Sequence, residues 1–449
     1  MFRASPVLDR REYLAREMVR SKAIFLMYDH GNLTTLDVEV DRPQQSRTDV
    51  GTQRTHRIQT AFVTNFCAHY RVRTFETLAR FQNVDFFFSS AGEEWYWQRR
   101  HGVRVGDFCY EYLPAIRLTR SLRLVPSLIT RLWRKNYEVY IKCINGRFAL
   151  PVTYLMAKLR RKPFILWTGI WMTLDTPFHR LVFPLTLWIY RHVDAIVVYG
   201  AHVKRYLTGL GITPEKIFIA AHAMDNSMYN GVVPQEQKAA LRANMKVGSD
   251  RVIMYLGRLE EVKGLEYLLK AFASLDADQA MLVIVGDGSL RERLIALSSE
   301  LGIAKHTRFV GYASPEEALG YYAIADLLVL PSVTTPTGKE TWGLVVNEAM
   351  NQGLPVVATD AVGAAAGGLV QSGVNGFVVP ERDSEALARA IDRILSDDKL
   401  REQMSANARR IVAGWNNERM VEGFRQAIEY VVRRANAIEP GEKKALAQS

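Results

Sequence analysis

Cysteine is scarce in this chain: Cys67, Cys109 and Cys143 are the only three in 449 residues. An odd number without metal-ligand spacing excludes a disulfide framework and a zinc site, and it suits a reducing compartment. The nine histidines form no H-x-x-x-H pair, so no metal is expected. The lone D-x-D, Asp276-Ala-Asp278, precedes the apolar run MLVIV and reads as a turn, not as a carboxylate pair holding a divalent ion on a phosphate. Long apolar runs are also missing. The stretch from Leu181 to Tyr199 is broken by Arg191, His192 and Asp194 and falls short of the about 20 residues needed to span a bilayer. The first residues, MFRASPVLDRREYLAREMVRSK, lack an apolar core and a small-residue cleavage site, so no secretory signal is expected.

Acid is under-represented in the first half. Residues 1–240 hold 34 Lys/Arg against 20 Asp/Glu, whereas the remainder holds 24 against 27. The net charge of +11 therefore belongs to one side of the chain and favours an anionic partner, such as an acidic lipid surface or a phosphorylated acceptor. The segment carrying Arg117, Arg120, Arg123, Arg131, Arg134 and Lys135 among Leu, Ile, Val and Trp is the candidate membrane surface; it reads equally as an ordinary solvated helix face. No recognised nucleic-acid module accompanies the basic charge.

What is present is ordinary globular composition, 48% hydrophobic and 23% charged, at a length that implies two or three folding units. Residues 1–57 form an extension, helical near 10–20 and partly linker. From there strands such as TAFVTNF, VDFFFSS, YEVYIKCI and PFILWTG alternate with amphipathic segments to about residue 240. A second alternating series, VIMYLGR, MLVIVGDG, RFVGY, LLVLPS and PVVAT, fills 241–435, and a polar tail occupies 436–449. Strand–helix alternation implies an α/β fold with parallel sheets covered on both faces. Two such units in tandem place a ligand site at the carboxyl ends of their strands, in a cleft between them.

Two constellations carry chemistry. The loop Gly257-Arg258-Leu259-Glu260-Glu261-Val262-Lys263-Gly264 follows a strand and offers two cations to one diphosphate, with glycines permitting close approach. Alone, it is equally a surface turn with two solvated cations. The segment Glu340-Thr341-Trp342-Gly343-Leu344-Val345-Val346-Asn347-Glu348 sets two carboxylates eight apart around a helix start whose amides face a phosphate. At about 1.5 Å per residue the pair spans about 12 Å, enough for one acid to reach a sugar and the other a ribose.

Taken in order, the GRL…KG loop, the VGDG turn, RFVGY, and E-x7-E followed by GLPVVATD resemble glycosyltransferase family 4, closely over 250–435 and more loosely through TNFCAHYRVRTFETLARF, WTG, VYG and AMDN. The resemblance implies a GT-B architecture, two Rossmann-like doubly wound domains facing across a cleft, with 58–240 binding acceptor and 241–435 binding donor. It implies a retaining, metal-independent hexosyltransferase that needs no cofactor and uses a nucleotide-diphosphate sugar as co-substrate. The acceptor hydroxyl would belong to a lipid-linked saccharide or another envelope glycan, with the enzyme cytoplasmic or peripheral on the inner face of the membrane. A nucleotide-sugar epimerase or hydrolase of the same fold is the alternative. Carried over by position, Arg258 and Lys263 stabilise the diphosphate and Glu340 holds the donor sugar. Glu348 takes the ribose, Gly343 and Leu344 present amides, and Tyr312 lies near the base. Gly257, Gly286, Thr341 and Trp342 complete the donor site. Tyr70 and Arg71 are the candidate acceptor contacts. Several family members place a histidine after the strand that reads FILWTG here; this chain has none there, and Thr168, Trp171 and His179 are the nearest substitutes.

Overall fold

The computed structural model describes residues 27–29, 32–34, 57–90, 106–118, 123–248, 251–275 and 280–446, with side chains through 437. Asp276, Asp278, Arg120 and the helix expected near 10–20 lie outside the described residues. The chain divides into Met1–His56 and Arg57–Ser449. In the first unit, Met27–Asp29 pairs antiparallel with Asn32–Thr34. All that follows concerns the second.

Its first lobe is built on seven parallel strands: β1 (Gln59–Thr64), β2 (Asn83–Phe88), β3 (Tyr110–Tyr112), β4 (Val139–Cys143), β5 (Phe164–Thr168), β6 (Ala195–Val198) and β7 (Ile217–Ile219). Their order is β7-β6-β5-β4-β1-β2-β3, and every neighbouring pair is parallel. Strands β4, β5 and β6 are buried at every position, which is why they read as mostly apolar runs instead of alternating ones; the charged exception, Lys142 on β4, is buried with its Nζ donating to Cys143 O and Asn145 O at 2.7 Å. The covering helices include α1 (Val72–Phe81), α2 (Ser127–Arg134), α3 (Ala149–Leu159), α4 (Pro177–His192) and α5 (Ala201–Gly209). Helix α4 starts where Thr176 accepts from the His179 amide with Pro177 at its first position, a start that needs no partner for the missing amide.

The second lobe follows α6 (Gln235–Asn244) and carries β8 (Arg251–Leu256), β9 (Ala280–Val285), β10 (Thr307–Gly311), β11 (Leu327–Leu330), β12 (Val356–Thr359) and β13 (Gly376–Val379). Their order, β10-β9-β8-β11-β12-β13, is the doubly wound order with its reversal between β8 and β11, the place where such sheets take ligands. Its helices are α7 (Leu265–Ala273), α8 (Arg291–Glu300), α9 (Pro315–Ile324), α10 (Val345–Asn351), α11 (Gly363–Ala366), α12 (Ser384–Leu395) and α13 (Asp398–Ala413). Helix α9 opens with a capping box in which Ser314 and Glu317 satisfy each other's amides.

The last helix, α14 (Asn417–Leu446), departs from the sequence expectation. It packs against α1, β6 and β7 of the first lobe, although residues to 435 read as part of the second unit and 436–449 as a tail. Phe424 accounts for the crossing: its ring lies 5.7 Å from Phe62 and 5.4 Å from Trp167, inside the aromatic core of the first lobe, where burial outweighs sequence proximity. Thr74 seals the junction by donating to Asn417 Oδ1 at 2.7 Å.

Candidate functional site

The carboxyl ends of β8, β9 and β10 are laced by backbone hydrogen bonds. Gly257 N–H donates to Val285 O, Leu259 N–H to Asp287 O, and Gly286 N–H to Gly311 O. The contact between the first two turns is close enough that a Cβ on Gly286, whose φ is +139°, would lie 1.8 Å from Gly257 O. Only glycine fits there. Around this floor lies a cavity of about 220 Å³ lined by Gly257, Arg258, Gly286, Asp287, Tyr312 and Glu348, with Tyr229 and His69 also in its wall. Five residues chosen from sequence thus share one cavity wall: Gly257, Arg258, Gly286, Tyr312 and Glu348. His69 stands in the short helical turn His69–Arg71 after β1, so the cavity is closed from the first lobe as well.

Arg258 is exposed, and its carbonyl is fixed by the buried Tyr255 hydroxyl at 2.8 Å. Lys263 and Glu340 do not line this cavity. The turn Glu261–Lys263 ends at Gly264 in the left-handed region, φ +62°, and a Cβ on Gly264 would lie 2.1 Å from Pro331 O. The turn is thereby pressed onto the segment leaving β11. Lys263 Nζ donates there to Glu340 Oε2, and both side chains are largely buried. The two residues expected to act on leaving group and sugar are therefore partners of each other.

Glu348 lies on α10 and accepts from Tyr322 OH at 2.7 Å. Burial raises its carboxyl to about 7, against a smaller opposing effect of the Tyr322 hydrogen bond. Glu340 is not on that helix. It forms a parallel bridge to Val362, and its carbonyl accepts from Gly363 N–H and from the indole of Trp171 at 3.0 Å. Helix α10 covers seven residues beginning at Val345, so the helical spacing used to estimate the reach between Glu340 and Glu348 holds only at the Glu348 end. Gly343 has φ +89°, and its carbonyl receives Val346 N–H while Leu344 O receives Glu348 N–H; both residues stand at the turn into the helix.

Trp342 is placed differently from expectation. Its ring is buried, its indole donates to Asn347 Oδ1 at 2.9 Å, and it packs on Trp415 at 5.3 Å and His202 at 5.8 Å. An apolar side chain of this size is held in a lobe junction, away from the cavity. Thr341 is exposed, and its carbonyl accepts from His202 Nε2 at 3.2 Å. Burial pulls the His202 imidazole down to about 4 and that of His222 down to about 3, so both are neutral at pH 7.

Tyr70 and Arg71 also turn inward. The Arg71 guanidinium lies 4.7 Å from the Trp167 ring and donates to Tyr199 OH at 3.3 Å, while Tyr70 packs edge-on to His222 at 6.3 Å. These contacts brace the first lobe beside the cleft. Of the three substitutes for the missing histidine, Thr168 is buried and accepts from Ile170 N–H, and the His179 ring is hydrogen-bonded through Nδ1 to Thr176, the N-cap of α4, at 2.7 Å. Trp171 alone reaches the other lobe, where its ring also lies 4.0 Å from Lys339 Nζ. Sequence reading missed His69, Asp287 and Tyr229 in the cavity. Asp287 lay within the VGDG turn and His69 within TNFCAHYRVRTFETLARF, both already singled out; Tyr229 comes from a distant segment that gave no periodic signal.

Residues 236–411 match the family model for glycosyl transferases group 1. An uncharacterized glycosyltransferase of Methanocaldococcus jannaschii is 34% identical over 42% of this chain and 50% of its own length. The lipopolysaccharide core biosynthesis glycosyltransferase LpsE of Rhizobium meliloti is 29% identical over 55% of this chain and 67% of its own. The chain thus spans half to two thirds of these curated relatives. Among solved structures, Anabaena HepE in complex with UDP and glucose superposes with a TM-score of 0.64 at 19% identity, covering 83% of this chain and 99% of that one. The doubly wound sheets and the laced strand ends accord with that superposition: the chain has the GT-B fold, and its segment 236–411 is similar to the group 1 glycosyl transferases.

Proposed function

We propose that the protein is a retaining, metal-independent glycosyltransferase that moves a sugar from a nucleoside diphosphate to an acceptor hydroxyl on a lipid-linked saccharide or another envelope glycan. The observation that carries this reading is the single cavity at the ends of β8, β9 and β10, where Arg258, Gly286, Tyr312 and Glu348 meet His69 of the opposing lobe. The second lobe holds the donor and the first presents the acceptor. Tyr312 borders the base, Glu348 accepts from ribose hydroxyls, and Glu340 orients the sugar. When the bond from anomeric carbon to phosphate oxygen breaks, negative charge grows on the diphosphate beside Arg258 and Lys263, and the preorganised cations lower the barrier. Lys263 must share or exchange Glu340 as the diphosphate arrives.

Complexes of HepE with UDP and with UDP-glucose make a uridine nucleotide the first donor to test. The part LpsE takes in lipopolysaccharide core biosynthesis supports a membrane-borne acceptor, reached from the inner face of the membrane by a chain whose first half is basic. Among the described residues no helix is long and apolar enough to cross a membrane. The deciding experiment screens nucleotide sugars for thermal stabilisation and then assays the best donor for transfer to lipid-linked saccharides. Stabilisation without transfer to any acceptor, accompanied by conversion of the donor itself, would replace this reading with an epimerase or hydrolase.

A further inference from the structure

Helix α4 is apolar on both of its faces. Inward, Val182, Phe183, Thr186 and Ile189 line a cavity of about 350 Å³ together with Leu150 and Pro151 from the α3 region. Outward, Phe178, Leu181, Leu185 and Trp188 recur at intervals of three and four residues, with Leu181 80% and Leu185 60% exposed. Phe178 and Leu185 belong to both sets, so the cavity opens onto the exposed face. The patch continues sideways. Tyr154 of α3 meets Trp188 at 5.8 Å, Leu155 and Leu159 of α3 are exposed, and Arg160 lies 5.1 Å from the ring of the exposed Trp133 on α2. A surface helix normally keeps one polar face, and a contiguous apolar area of this kind marks a binding surface.

Charge selects the occupant. Residues 147–192 contain seven Lys/Arg and one acid, Asp175. The cations sit at the ends and flanks of the apolar face: Arg180 and Arg191 at the two ends of α4, and Arg147 stacked 3.9 Å from the Phe178 ring. Apposing this patch to itself in a second copy would bring like charges together. A bilayer containing anionic phospholipid satisfies both features, because Leu and Trp enter the acyl boundary while cations meet the headgroups. Ion pairs occur in both segments, Arg131 with Glu111 and Lys135 with Asp85 at 2.7 Å near α2, Arg180 with Asp175 at 2.5 Å and Lys158 with Asp194 at 3.1 Å around α4; what distinguishes α4 is its exposed apolar face.

We infer that α4 and the adjoining exposed residues of α3 and α2 dock this protein on an anionic phospholipid membrane, and that the cavity beneath α4 takes one acyl chain. Met172, Thr173 and Leu174 line that cavity and belong to the same loop as Trp171, whose indole holds Glu340 O. A lipid seated there lies one loop from the cleft; that last step rests on the glycosyltransferase reading, whereas docking itself does not.

The test sediments the full chain with vesicles of phosphatidylcholine alone or mixed with phosphatidylglycerol. Binding is expected only to the mixed vesicles, weakening with salt, and falling about tenfold or more in Leu181→Glu with Trp188→Glu. These positions are exposed, and circular dichroism verifies their folding. Equal binding by that double variant, or none by the native chain, overturns the proposal; so does a dimer, abolished by the same substitutions, in a chain that ignores vesicles. Native mass spectrometry after detergent extraction should find one phosphatidylglycerol retained, and lost in Val182→Trp, which fills the cavity while leaving the outer face intact. Retention of no lipid overturns the acyl-chain site. UDP-induced thermal stabilisation in solution is read in parallel: its loss with vesicle binding intact removes the functional reading alone, and the converse removes only the docking surface.

Discussion

Removing either member of the Lys263–Glu340 pair should have opposite consequences for nucleotide binding. The two side chains are 13% and 14% exposed and form an ion pair. Two unit charges at about 4 Å attract by about 4 kcal/mol at an effective dielectric of about 20, and desolvation of both groups consumes much of that gain. In Lys263→Ala, the diphosphate loses a charge-assisted hydrogen bond of about 1.5–3 kcal/mol and approaches a Glu340 carboxylate that has no counter-ion. UDP affinity is expected to fall about 10- to 100-fold. In Glu340→Gln, the lysine is released to the diphosphate, so UDP affinity is expected to stay equal or rise. Transfer from the UDP-sugar should still fall about 10²-fold, because the sugar loses its orienting acid. Isothermal titration of UDP into native protein, both single variants and the double variant measures the terms and their coupling. Equal weakening of UDP binding in the two single variants would refute the assignment of Lys263 to phosphate and Glu340 to sugar.

Arg258→Ala should depress turnover by about 10²-fold, and full activity in Arg258→Ala with Lys263→Ala would remove the electrostatic mechanism. Gly286→Ala places a methyl group 1.8 Å from Gly257 O at φ +139°; the turn must shift, at a cost of about 1–3 kcal/mol that a denaturant midpoint reads, and an unchanged midpoint would contradict the close approach. Glu348 has its carboxyl raised to about 7. Its contribution to folding stability is therefore full below the unfolded value and lost as pH rises through about 7. Ribose binding needs the ionised form, so UDP affinity should increase between pH 6 and 8 by a factor that disappears in Glu348→Gln. The nucleotide's own ionisation is common to both proteins and cancels in that ratio.

The fold was legible because its evidence is local. Mostly apolar runs at 139–143, 164–168 and 195–198 are what a strand buried on both faces requires, and their alternation with helical segments leaves few topologies open. Much of the cavity wall was legible for a related reason: Gly257, Arg258, Gly286 and Tyr312 sit immediately after strands of one sheet, so chain order alone places them at one edge. Trp342 shows where that logic stops. It lies two residues from Glu340, yet its ring is buried against His202 and Trp415, contacts supplied by segments far away in the chain. Tyr70 and Arg71 were likewise chosen for position, and their partners His222, Trp167 and Tyr199 come from three other strands or loops.

By itself the sequence determined the two doubly wound sheets, the glycine turns and the cationic loop, since each follows from backbone sterics and periodicity within a few tens of residues. Only the tertiary structure decided that Lys263 is engaged by Glu340, that His69 and Tyr229 close the cavity, and that α14 returns to the first lobe. It alone decided, too, that α4 leaves an apolar face uncovered. Those outcomes depend on which surfaces meet across the chain, and side-chain pairing and burial at such distances leave no local pattern to read.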